Sequence, residues 1–245
     1  MISKFICFAL LVSSGFAAPT ISTSGITDYN GPFPVDKILN AEEVVIKNSK
    51  ITFDGDAKAV SSLVFSKLKK LNIEGSHLGD ILGGISGALP NLKTLVVKKS
   101  TLDNFKLEDI NAIPSLETLE VDDIELKILK DNSLDKLSQL KTLTLNSAKI
   151  SEIQNQAFNG LVNLEVLNLS HNSLKTISKE SLKPLKKLKE LCLQHNSLTK
   201  FGPANVPELP ELVKVCLEVN PIEEVDTDGL HKVAPKLNVV NIGAA

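Results

Sequence analysis

The sequence predicts an α/β solenoid, a stack of coils with one parallel sheet of about nine strands inside and irregular or short helical turns outside. Three observations lead there. Leu161 to Leu198 contains one pattern twice: Leu164, Leu167, Leu169, Asn172 and Leu174 recur 24 residues later as Leu188, Leu191, Leu193, Asn196 and Leu198. The first position of that pattern recurs at Leu68, Leu92, Leu116, Leu140, Leu164, Leu188 and Leu212 at a constant spacing of 24, then at Leu237 after 25. Chance apolar runs would drift in phase. Within each unit an apolar pair alternates with polar residues at period two, the signature of a strand buried on one side.

Those pairs, in order, are Leu71/Ile73, Leu95/Val97, Leu119/Val121, Leu143/Leu145, Leu167/Leu169, Leu191/Leu193, Val215/Leu217 and Val240/Ile242, after an imperfect first unit at Val44 and Ile46. The return paths repeat as well: Ile110 and Ile113, Leu134 and Leu137, Phe158 and Leu161, Leu182 and Leu185, and Val206 and Leu209 hold equivalent places. Each coil therefore closes on its own aliphatic side chains and stacks on its neighbours at about 4.8 Å. A single coil could not bury its apolar face.

The pattern LxxLxLxxNxL resembles the leucine-rich repeat in its 24-residue form, and the resemblance runs through nearly the whole chain after residue 40. It implies a leucine-rich-repeat horseshoe with a concave parallel sheet. It also implies that Asn172, Asn196 and Asn220 bond backbone groups in the turn leaving the strand. Earlier units carry Ser49, Ser76, Ser100, Ile124 and Ala148 there, so the N-terminal coils are expected to be less regular and less stable. Secreted animal relatives commonly have cysteine-rich caps, which this sequence lacks.

Residues 1–17 have an early Lys4, an apolar run from Phe5 to Val12 and small residues before Ala17, the layout of a signal peptide. The apolar run is too short for a membrane span, and no second one follows, so the chain is expected to be secreted into extracellular fluid. Residues 18–40 read as a flexible leader and N-terminal cap, and 41–245 as the solenoid. A formal net charge of −2 gives no reason to invoke nucleic acid or an anionic membrane. The last strand, near Leu237 to Ile242, is an apolar edge that invites either a homodimer or a cover by Gly243 to Ala245.

Between the inward leucines, side chains project onto the concave sheet. One column reads Asn72, Val96, Glu120, Thr144, Asn168, Cys192, Cys216 and Asn241; the next reads Glu74, Lys98, Asp122, Asn146, Ser170, Gln194 and Glu218. Charge is banded there, Lys93, Lys98 and Lys99 standing one coil from Glu117, Glu120, Asp122 and Asp123. These seven are the candidate partner-binding residues, and mutual neutralisation between coils is the competing reading. Aromatic anchors are missing from these columns, which favours a polar contact.

Cys192 and Cys216, 24 apart in one column, fall on adjacent strands about 4.8 Å apart, within reach of a disulfide. An inter-coil disulfide worth at most about 3 kcal/mol is the favoured reading, with paired free thiols as its competitor. His171 and His195 lie about 10 Å farther along, too far to share one ion with both cysteines, so no metal site is expected. Ser170-His171 has no orienting carboxylate, so catalysis is not expected either. Asn168-Leu169-Ser170 is an N-glycosylation sequon that also arises from the repeat itself, and both readings stay open.

The resemblance implies a non-enzymatic recognition or scaffold protein without cofactor, binding an extracellular protein or glycan in an immune, adhesion or matrix role. A non-catalytic subunit or inhibitor of a secreted enzyme is the alternative.

Overall fold

The computed structural model describes residues 26–28, 30–32, 41–52, 65–78, 86–102 and 105–243. The expected signal peptide, 1–17, lies outside them. Ten parallel strands form the concave sheet: Ile26–Thr27, Glu43–Lys47, Lys70–Glu74, Thr94–Lys98, Thr118–Val121, Thr142–Thr144, Val166–Asn168, Glu190–Cys192, Lys214–Cys216 and Val239–Asn241. Their register follows the 24-residue period, with Leu95 opposite Leu119, Leu143 opposite Leu167 and Leu191 opposite Val215.

The extra strand comes from the N-terminal side. Ile26–Thr27 pairs with Ile46–Lys47, and Asn30–Pro32 pairs with Lys50–Thr52. Part of the stretch read as a flexible leader is thus paired, because the edge strand Glu43–Lys47 offers backbone groups that any extended segment can meet.

The inward pairs are buried from Val44 and Ile46 through Val215 and Leu217, and the return-path residues pack behind them in one continuous core. At the last strand Val240 is only partly buried and Ile242 is 48% exposed, since no described coil lies beyond it. The outer turns are short. Among the described residues the helical content is two 3-10 segments, Ser86–Ala88 and Leu107–Ala112, and two α-helices, α1 (Lys179–Leu182) and α2 (Thr227–Val233). Ser178 caps α1 by accepting from the Glu180 N–H, and Asp226 caps α2 by accepting from that of Gly229. Among the described residues no helix is long and apolar enough to cross a membrane.

Two turn chemistries hold the strand exits. In the C-terminal coils Asn196 Oδ1 accepts from the Leu174 N–H at 3.0 Å, while its amide donates to the carbonyls of Leu169 and Leu193, both at 3.0 Å. Asn220 and Asn172 do the same one coil on either side. In the N-terminal coils serines replace them: the Ser76 N–H donates to Ser100 Oγ at 3.1 Å, and that hydroxyl donates to the Lys98 carbonyl at 2.8 Å. Ser49 and Ser76 repeat the arrangement. The serine column is a second ladder with fewer bonds per coil.

The ladders do not meet. Ile124 and Ala148 separate them, and the hydrogen bonding shifts there. The N–H of Asp123 donates forward to the Asn146 carbonyl, as Gly75 does to Lys98, but between the third and fourth coils Asp122 donates back to Val97. A four-stranded second sheet ends at Thr101–Leu102, and a new two-stranded one starts at Ile128–Leu129. The third and fourth coils form a seam.

Candidate functional site

The sheet's outer face carries three columns. The two expected ones stand in register, Asn72, Val96 and Glu120 in line and Cys192 opposite Cys216. A third runs through Lys70, Thr94, Thr118, Thr142, Val166, Glu190 and Lys214. Sequence reasoning passed over it, although the same period-two alternation that placed the others also places this one.

Beside that column runs a ladder of ions. Lys69 meets Glu42 at 3.0 Å, Glu117 lies between Lys93 at 2.7 Å and Lys141 at 2.8 Å, and Glu165 meets Lys189 at 2.7 Å. The hydrogen bonds from Lys141 and Lys93 hold the Glu117 carboxyl down at about 2. On the sheet itself Lys98 and Glu120 form an ion pair of 2.6 Å. Four of the seven candidate residues, Lys93, Lys98, Glu117 and Glu120, therefore satisfy one another or a neighbouring coil. Residues 24 apart stack directly, so opposite charges at that spacing pair without any partner.

Lys99, Asp122 and Asp123 differ. Lys99 and Asp123 occupy the left-handed turn that ends each strand, at φ 48° and 66°, and both are exposed. Asp122 Oδ1 is buried without a hydrogen-bond partner, and burial, followed by the charge of Glu120, raises its pKa above the ordinary 3.8. It has company. Asn72 Oδ1, Asn146 Oδ1, Gln194 Oε1 and Glu218 Oε2 are likewise buried and unpaired among the described residues, and all five belong to the two expected columns. Buried polar groups are ordinarily bonded, because leaving one unpaired costs about 1–3 kcal/mol. Among the described residues these five acceptor atoms line the floor without a protein partner.

A cavity of about 500 Å³ opens at the seam, with Lys99, Leu102, Phe105, Asp123, Ile124 and Lys149 among its lining residues. It joins the candidate residues Lys99 and Asp123 to an apolar wall where neither ladder fills the turn.

The other candidates settle as follows. Cys192 and Cys216 are free, buried thiols with their sulfurs 3.1 Å apart, well beyond the roughly 2.05 Å of the favoured disulfide. Register brings the backbones together, and the side-chain torsions leave the sulfurs in van der Waals and hydrogen-bond contact. His171 and His195 stack on each other with ring centres 4.0 Å apart, and burial lowers the pKa of His171. Asn168 is half-buried, its Oδ1 accepting from the Ser170 N–H at 3.0 Å and from the Ser170 hydroxyl.

Comparison with known proteins agrees with this geometry. Residues 138–198 match the leucine rich repeat family model, a span that includes Asn172 and Asn196 and excludes the serine-laddered coils. No curated protein sequence matches the chain. Among solved structures, a Leptospira interrogans LRR protein superposes with a TM-score of 0.67 at 24% identity, over 85% of this chain and 50% of that one. This chain thus spans half the length of the Leptospira chain. The octameric complex of Latrophilin 3, Unc5D and FLRT2 (LRR) contains another, with a TM-score of 0.67 at 17% identity, over 91% of this chain and 76% of that one. Residues 138–198 thus resemble the leucine rich repeat family in sequence, and the described strands have the fold of these two leucine-rich-repeat structures.

Proposed function

We propose that the chain is a secreted, non-enzymatic recognition or scaffold protein that binds an extracellular protein or glycan through its concave sheet. The observation that carries this reading is the row of unpaired buried acceptors from Asn72 to Glu218. Turned outward by side-chain rotation, these acceptors would be satisfied by a partner rich in N–H or O–H donors, such as lysine and arginine side chains or sugar hydroxyls. Because the sheet is rigid, little ordering entropy opposes the contact. The layout of residues 1–17 supports release from the cell, and the LRR component of the Latrophilin 3 complex offers a precedent for assembly with other proteins.

The chain, with residues 1–17 removed, is used to capture partners from extracellular fluid and from a glycan array. An Asp122→Lys, Gln194→Lys variant of matched thermal stability is run beside it. The variant is expected to lose the partner, because each new ammonium brings donors where acceptors stood. Equal retention by both chains would show that the concave floor is not the site.

The C-terminal edge supports a homotypic contact in addition. Val219, Val239 and Ile242 are 39%, 36% and 48% exposed around the last strand. Edge pairing predicts a dimer in sedimentation that Ile242→Lys dissociates; a monomer at micromolar concentration would rule it out.

A further inference from the structure

We propose that Cys192, Cys216 and Glu190 form a binding site for a thiophilic divalent cation of the zinc class. The strand Glu190–Cys192 turns residues 190 and 192 to the same face, and Cys216 stands directly opposite Cys192 on the next strand. The two sulfurs are 3.1 Å apart, Glu190 Oε1 is 3.2 Å from Cys192 Sγ, and the three donor atoms all lie within 4.8 Å of one another. Two sulfurs bound to one tetrahedral zinc at about 2.3 Å stand about 3.8 Å apart. The present pair reaches that by opening about 0.7 Å, a rotamer adjustment, and a fourth position remains facing the concave side.

Charge and surroundings suit a cation. Two thiolates and one carboxylate against the ion and Lys214, whose Nζ is 2.8 Å from Glu190 Oε1, sum to zero. The hydrogen bond from Lys214 keeps Glu190 ionised, its pKa lying below the ordinary value. Two residues farther along the same strands and on the same face, Gln194 Oε1 and Glu218 Oε2 are buried with no partner, so the surplus of oxygen donors extends beyond the three ligands. His171 and His195, farther along the strands, stack on each other, and the carboxylate of Glu190, two residues before Cys192, supplies the third donor.

Zinc binds cysteine as the thiolate, so its binding displaces thiol protons. Apparent affinity therefore rises with pH.

The reduced, metal-stripped chain is titrated with Zn²⁺ by calorimetry in buffers of differing ionisation enthalpy, and with Co²⁺ by absorbance. The expected result is one ion per chain, proton release on binding, and a thiolate-to-cobalt charge-transfer band. Cys192→Ser and Cys216→Ser each lower affinity on the order of 100-fold or more, and Glu190→Gln about 10-fold. Glu190→Gln keeps both thiols and serves as the decisive variant if the serine chains fail to fold. The proposal is overturned by the absence of saturable binding at micromolar Zn²⁺, by unchanged affinity in Glu190→Gln, or by a Cys192–Cys216 disulfide forming in air while Zn²⁺ is present.

Discussion

Replacing Asn172 with alanine tests the turn chemistry on which the solenoid rests. Its Oδ1 accepts from the N–H groups of Ala148 at 3.0 Å and Ile150 at 2.9 Å, both in wholly buried residues, and its amide donates to the Leu145 carbonyl at 2.8 Å and the Leu169 carbonyl at 2.9 Å. The Leu169 carbonyl is shared with Asn196 and stays bonded in the variant. Two buried N–H groups and the Leu145 carbonyl lose this partner, at about 1–3 kcal/mol for each buried group left unpaired. Allowing for the half-burial of Asn172, the loss is about 3–5 kcal/mol. Ser100→Ala removes one accepted and one donated bond, for about 1–2 kcal/mol. Urea unfolding of both variants, with matched m-values, measures the difference. A loss below about 1 kcal/mol for Asn172→Ala, or a larger loss for Ser100→Ala, would refute the reasoning.

Three further outcomes follow from particular residues. Val219 sits in the left-handed region at φ 54°, where a β-branched side chain is strained; Val219→Asn is expected to stabilise the chain by about 1 kcal/mol in thermal denaturation. Asp122 has a folded-state pKa above its ordinary 3.8, so its favourable contribution is present below that pH and is lost as pH rises through the folded value. Asp122→Asn should therefore raise the unfolding midpoint at pH 7 and leave it unchanged near pH 3. Phe158, wholly buried in the return path, should cost about 3–5 kcal/mol when replaced by alanine.

The period of 24 made the core legible: every inward pair through Leu217 and each quoted return-path residue is buried where the columns placed it. Ion pairing was less legible. Lys93 and Glu117 read as a docking patch until their 24-residue spacing is taken as direct stacking, which also accounts for Lys141 on the far side of Glu117. The serine ladder was hidden because serine departs from the asparagine signature, although one hydroxyl can bridge two coils by accepting from one and donating to its own. Spacing alone brought Cys192 beside Cys216. Whether the sulfurs bond depends on side-chain torsions that spacing does not determine, and the part played by Glu190 shows only when the third outward column is drawn.

Carboxyl footprinting of the chain with and without its captured partner tests the central claim, recognition by the acceptor floor of the concave sheet. The account predicts that labelling of Asp122 and Glu218 falls on binding while Glu180 and Asp228, in the outer helices α1 and α2, react unchanged. Protection of Glu180 and Asp228 with no change at Asp122 and Glu218 would contradict it.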